Sequence, residues 1–240
     1  PRGRGKDEPP VRIAERRDSR LASHARAVLR WRAMDPLDRP RARWRGEEAG
    51  EHYAGARWRS TAKRGRDPSR IGALLARHLP VGEPARILDA PCGTGRLFAA
   101  LEARGQLVGL DVSPAMLAQA RAAAREDTEL LLGDLARLPF AEQSFDAVVC
   151  CRLLHHLERA EDLARVVAEL VRVSRGLVLV SYWAAAALPA WRRRLLPARR
   201  APRRFARPLA ELEQAFERAG ASIVDRAWSL RFVSRQAYLV

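Results

Sequence analysis

The run Ile87-Leu88-Asp89-Ala90-Pro91-Cys92-Gly93-Thr94-Gly95-Arg96-Leu97 decides how the rest of the chain is read. Arg86–Ala90 is an apolar stretch that carries an acid near its end, and it reads as a buried strand. A tight turn with two glycines follows, and Arg96–Arg104 then reads as a helix stopped by Gly105. Glycine lets the backbone turn sharply and come close to a ligand where a Cβ would clash. The start of the helix offers unpaired N–H groups. By itself such a turn fits any strand-to-helix junction in a doubly wound sheet.

Downstream the alternation continues. Gln106–Asp111 is a strand, and Ser113 caps a helix that has Pro114 at its first position and runs to about Arg125. Strands follow at Glu129–Gly133 and Phe145–Cys151, a helix at Glu161–Val173 and a strand at Leu177–Tyr182. A helix over Pro208–Ala219 is stopped by Gly220, a further strand opens at Ser222–Val224, and Gln236–Val240 closes the series. Upstream, Asp67 is expected to cap a helix with Pro68 at its first turn and Ile71, Leu74, Leu75 and Leu79 on one face.

Strands alternating with helices imply parallel units with right-handed crossovers, and apolar strands imply a sheet covered on both faces. Only Ser229–Arg235 separates the last two strands, too short for a crossover helix, so they should pair antiparallel at one edge. The expected fold is therefore α/β, a Rossmann-like doubly wound seven-stranded sheet, mostly parallel with an antiparallel C-terminal strand, helices on both faces. Residues 51–240 are assigned to this domain. Residues 1–50, rich in Arg and Pro, read as a basic and flexible extension, with an amphipathic helix over 13–31 as the alternative.

The formal net charge is +16, and Lys6 and Lys63 are the only lysines, so the basic character is carried by arginine. Two readings compete: an anionic partner, or a codon bias toward Arg and Ala. Three cysteines, two of them adjacent, make no disulfide framework and no zinc spacing, so no metal is expected. The longest apolar stretch is too short and too interrupted to span a bilayer. These features point to the cytoplasm.

The acids at later strand ends strengthen the opening motif. Asp111 follows Asp89 by the ~20 residues that place a carboxylate on ribose hydroxyls, and Asp134 follows the third strand. Three carboxylates at consecutive strand ends face one crevice. No Gly-Lys-Ser/Thr phosphate cradle is present, and an acid before the turn favours a cationic group over a pyrophosphate.

With LDAPCGTGRL, VGLDVSPAMLAQAR, LLLGDLARLPFAEQSFDAVVCCRLLHHL and ELVRV in place, the chain resembles the class I S-adenosylmethionine-dependent methyltransferases, in particular their small-molecule and quinone branch. The resemblance runs from about Arg86 to Val180. It implies S-adenosyl-L-methionine as cofactor. It further implies Asp89, Ala90, Gly93, Gly95 and Cys151 (or Arg152) around the methionine part, Asp111 on the ribose, and Val112 and Met116 against the adenine. Asp134 and Leu135 would recognise the adenine edge. Members often carry a third glycine where this chain has Ala90-Pro91, and Pro91 removes a backbone donor.

His155 and His156 are candidates for a general base, because histidine titrates near neutrality; packing or capping is the other reading. Two stretches, Tyr53–Arg70 and the Arg-rich Trp183–Arg207, are expected to bear on the acceptor. The expected acceptor is a small or lipid-like molecule. RNA, drawn by the basic charge, is the alternative, as are a non-catalytic cofactor-binding subunit and, for the Arg-rich stretch, a peripheral membrane contact.

Overall fold

The computed structural model describes residues 61–80, 82, 84–185, 205–228 and 236–240. The basic extension, the aromatic stretch before residue 61 and residues 186–204 of the Arg-rich run lie outside the described residues. So does one of the two compact units of the chain, Pro1–Asp35; everything below concerns the other, Pro36–Val240.

Helix α1 is Thr61–His78, α2 Phe98–Glu102, α3 Pro114–Arg121, α4 Ala160–Val173 and α5 Leu209–Arg218. The strands are β1 Ala85–Asp89, β2 Gly105–Asp111, β3 Glu129–Leu132, β4 Phe145–Cys150, β5 Ser174–Trp183, β6 Arg226–Trp228 and β7 Gln236–Leu239. They form one sheet in the order β3-β2-β1-β4-β5-β7-β6. β1 to β5 pair in parallel, and β7 runs antiparallel to both β5 and β6. The expected seven-stranded topology is observed, with the antiparallel pair at the edge.

Period-two alternation divides the strands between two cores. Leu88, Val108, Val148, Val180 and Leu239 face one layer, and Ile87, Leu107, Ala147, Leu179 and Tyr238 face the other. On the first face α4 lays down Leu163, Val166, Val167, Leu170 and Val173, an i, i+3, i+4, i+7 stripe, beside Leu212 and Phe216 of α5. On the second face sit Ile71 and Leu75 of α1, Phe98 and Leu101 of α2, and Ala120 of α3. Each fully covered Leu or Ile contributes roughly 1.5–3 kcal/mol of burial. Among the described residues no helix is long and apolar enough to cross a membrane.

Three local expectations change. Asp67 does not cap a helix: α1 begins at Thr61 and carries Pro68 inside it. The helix expected over Arg96–Arg104 shrinks to Phe98–Glu102, because the loop keeps turning through Leu97. The strand expected to open at Ser222–Val224 and end before Ser229 begins only at Arg226 and ends at Trp228, after the N–H groups of Val224 and Asp225 have donated to the Val240 carbonyl. Ser113 does cap α3, accepting from the Met116 N–H at 3.4 Å, with Pro114 in its first turn.

Candidate functional site

Strand order reverses between β1 and β4, and a crevice opens beyond the carboxyl ends of the strands at such a point. The observed cleft lies there. The glycine turn supplies Gly93 and Thr94, and the end of β2 and the start of α3 supply Asp111, Val112 and Met116. The loop after β3 adds Asp134, Leu135 and Ala136. The segment after β4 adds Cys151, Arg152, Leu153, His156 and Leu157, and α4 adds Asp162 and Val166.

Asp111 fastens the glycine turn. One carboxylate oxygen accepts from the Gly93 N–H at 2.9 Å and the other from the Ser113 N–H at 2.9 Å. Burial pushes its carboxyl above the usual value, against the pull of those backbone donors. Asp134 accepts from the Ala136 N–H at 2.9 Å, which turns its loop into the cleft wall. That loop is held from behind. Glu169 accepts from the Leu138 N–H at 2.7 Å, and Arg172, paired with Glu169, donates to the Phe140 and Leu138 carbonyls.

Gly93 and Gly95 differ in what surrounds them. Gly93 has φ +56 and open space where a Cβ would stand, whereas at Gly95, with φ +74, a Cβ would come within 2.8 Å of the Phe98 ring. Gly93 therefore borders the cleft, and Gly95 sits against the core.

Asp89 and Ala90 are fully buried beneath the turn rather than in the cleft wall. Both oxygens of the Asp89 carboxylate lack a hydrogen-bond partner among the described residues. Burial drives that carboxyl well above the ordinary range, the nearby Arg96 pulls it down, and Asp111 adds to the rise.

The two histidine rings touch, with centroids 4.4 Å apart, but differ in their relation to the cleft. His156 lines the cleft. His155 is buried away from it, stacked on Trp183 with ring centroids 4.6 Å apart and planes 6° from parallel. Cys92 and Cys151 both border the cleft, yet burial pushes the Cys151 thiol up to about 11 and that of Cys92 higher still, so both are protonated thiols at neutral pH.

Several groups at the site are absent from the sequence-derived set, among them Arg96 in the cleft wall and the acid behind it. Asp67, buried in α1, accepts through a single oxygen from Arg96 Nη2 at 3.0 Å and Arg152 Nε at 2.8 Å, while its other oxygen accepts from the Tyr238 hydroxyl. Burial opposes its ionisation, but Arg152, Arg96 and Tyr238 together overcome that and hold the carboxyl below its usual value. Its partners lie 85 and 171 positions away at Arg152 and Tyr238, so no local pattern announces it. Arg152 itself has φ +67, and its N–H donates to the Ser181 hydroxyl at 2.8 Å. Among the described residues no cluster of side chains suited to a metal ion occurs.

Known proteins agree with this architecture. Residues 88–179 match the family described as a methyltransferase domain. The chain is 33% identical over 115 residues to a tRNA (carboxymethyluridine(34)-5-O)-methyltransferase of Arabidopsis thaliana, covering 47% of this chain and 27% of the relative. It is 39% identical over 95 residues to a malonyl-[acyl-carrier protein] O-methyltransferase of Legionella pneumophila, covering 38% and 32%. The chain thus spans about a third or less of the length of these two relatives. Magnesium protoporphyrin IX methyltransferase of Synechocystis PCC 6803, solved with bound SAH, superposes with a TM-score of 0.63 at 19% identity, over 83% of this chain and 95% of that one. Residues 88–179 thus match a methyltransferase domain, set in a sheet whose order and acid-bearing strand ends are those expected of the class I S-adenosylmethionine-dependent fold.

Proposed function

We propose that this chain transfers the methyl group of S-adenosylmethionine to a small-molecule or lipid-like acceptor. The observation that carries the acceptor class is the apolar wall formed by Leu153, Leu157 and Val166 beside Arg152 in the same cleft. A concave, largely apolar surface with a few placed polar groups suits a small ligand better than a nucleic-acid backbone.

The residues present fit the cofactor. Asp89 is a buried acid beneath the turn whose oxygens lack a hydrogen-bonding partner among the described residues, and Gly93 leaves open space where a side chain would intrude. Asp111 keeps lone pairs on both oxygens for ribose hydroxyls beyond the two backbone donors it already accepts. Val112 and Met116 offer an apolar bed for the adenine, and Asp134 and Leu135 offer an acceptor and a backbone N–H for its edge. Ala90 and Gly95 support the turn from below. The bound cofactor supplies a methyl carbon already activated by the sulfonium, and the protein binds, orients and keeps water out. His156 is the proton acceptor of this reading, since it borders the cleft. His155, locked against Trp183, positions that loop.

A second reading, an RNA acceptor, is favoured by the charge of +16 and by the similarity to the tRNA methyltransferase. The test is a methyl-transfer assay on carboxylic, phenolic and lipid-like acceptors in parallel with total tRNA. Transfer to a small acceptor, unaffected by ribonuclease, is the expected result. Transfer confined to RNA would overturn the acceptor class and leave the cofactor untouched.

A further inference from the structure

The cleft wall beyond β4 is carried by a loop with little regular structure of its own. Between β4 and α4 it makes one short 3-10 turn, Leu154–His156. The helix that follows opens at Ala160 with no side-chain cap. Leu157 is nevertheless buried, and the carbonyls just ahead of the helix need donors from elsewhere in the chain.

Arg207 supplies them. Its side chain is buried and reaches back 50 positions, where Nη2 donates to the Leu157 carbonyl. The same nitrogen lies 3.2 Å from the Glu158 carbonyl and 3.5 Å from that of Arg159. On the other arm Nη1 pairs with Glu211 of α5, which answers the charge. A guanidinium can gather neighbouring carbonyls because its donors lie in one plane at fixed spacing; an ammonium brings the same charge without that plane.

The backbone around Arg207 adds to the hold. The Phe205 N–H donates to the His155 carbonyl at 2.8 Å. The Arg207 N–H donates to the Trp183 carbonyl at 2.8 Å, and its own carbonyl accepts from the Ala185 N–H at 3.0 Å. Residues 205–207 are thus joined both to the loop after β4 and to the end of β5. His156 and Leu157 of that loop border the cleft, while Arg207 stands behind them. Gly93, Asp111 and Asp134 are held by bonds of their own.

Resting on the reading of the cleft as a methyl-transfer site for a small acceptor, we infer that Arg207 is a positioning residue: through the carbonyls of Leu157 and Glu158 it sets the wall at His156 and Leu157, and with it the fit of the acceptor.

The test uses Arg207→Lys in the full chain, which keeps a cation beside Glu211 and loses the planar fork. Backbone hydrogen exchange is followed by mass spectrometry. KM is measured for S-adenosylmethionine and for whichever of the carboxylic, phenolic and lipid-like acceptors the wild type methylates. The expected result is local. The segment 153–159 and the Phe205 amide exchange at least tenfold faster, while β1 and β2 stay within twofold. The KM for the acceptor rises at least fivefold, and that for S-adenosylmethionine stays within twofold. Unchanged exchange over 153–159 overturns the inference, as does an unchanged acceptor KM in a variant whose loop has loosened. Loss of protection across the whole sheet overturns it too, because Arg207 would then be a general support of the domain. A wild type that methylates none of these acceptors overturns instead the small-acceptor reading on which the inference rests.

Discussion

The two halves of the cleft are built in different ways. The half formed by β1, β2 and β3 uses acids near strand ends and local backbone donors: Asp111 bonds Gly93 and Ser113, and Asp134 bonds Ala136. The half beyond β4 is held by side chains from distant parts of the chain, with Asp67 of α1, Arg96 of the glycine turn, Arg152 after β4 and Tyr238 of β7 meeting around one carboxylate. Contacts spanning 18 positions or fewer fix the first half. Shaping the other half requires contacts across the whole domain.

The largest expected effect comes from breaking the distant half at its centre. Asp67→Ala strips a buried carboxylate from two guanidiniums and a tyrosine hydroxyl, and should cost about 3–5 kcal/mol in urea unfolding. A cost under about 1 kcal/mol would show that the two arginines hold the wall without it. In the local half, Asp111→Ala should cost about 1.5–3 kcal/mol of S-adenosylhomocysteine affinity, about 10- to 100-fold in Kd, because charged hydrogen bonds to the turn and the ribose are lost together. Unchanged affinity in a folded variant would remove Asp111 from the cofactor site.

The two glycines sharpen the local half. Gly95→Ala drives a Cβ into the Phe98 ring and should lower stability by about 1–3 kcal/mol. Gly93→Ala meets only the backbone penalty, about 1–2 kcal/mol, and should instead weaken cofactor binding. The reverse order of melting temperatures would exchange their roles.

A subtler effect follows from Asp89. Its carboxyl is raised by burial, so the folded protein keeps a proton that the unfolded chain gives up near the ordinary value of about 3.9. Stability without cofactor therefore falls as pH rises from that value through the folded one, and is level above it. Asp89→Asn should flatten the profile and raise Tm by a few degrees near neutrality, while weakening S-adenosylhomocysteine binding. An unaltered profile would mean that Asp89 is ionised and compensated in the free protein. The smallest difference separates the histidines. His155→Ala should lose about 0.5–1.5 kcal/mol of stacking on Trp183, seen in Tm. His156→Ala should lower Tm less than His155→Ala does and lower kcat instead. Matching behaviour of the two variants would dissolve that distinction.

The contrast also explains what was legible in the sequence. The alternation of strand and helix, the antiparallel edge and the cap at Ser113 all follow from patterns within a few residues, and each is observed. Asp111 and Asp134 line the cleft, where their places after the second and third strands put them, whereas Val112, Met116 and Leu135, which also line it, came from the family resemblance alone. Asp67 was misread for the same reason. Next to Pro68 it looks locally like a helix cap, and only the folded chain brings Arg96, Arg152 and Tyr238 to it. His155 and His156 are neighbours in sequence, and the short 3-10 turn over Leu154–His156 sends them to different environments. Gly95 and Ala90 carry the motif's spacing, but their surroundings, a phenylalanine ring and the buried core, belong to packing.

The hydroxyl of Tyr238 on Asp67 has a consequence for biogenesis. At translation rates of about 5–20 residues per second, the 171 positions between them take roughly 10–30 s to emerge. The ends of β1, β2 and β3, with Asp89, Asp111 and Asp134, have all emerged while the wall beyond β4 is still missing its brace. The wall beyond β4 therefore waits for β7 before its buried carboxylate has all of its partners.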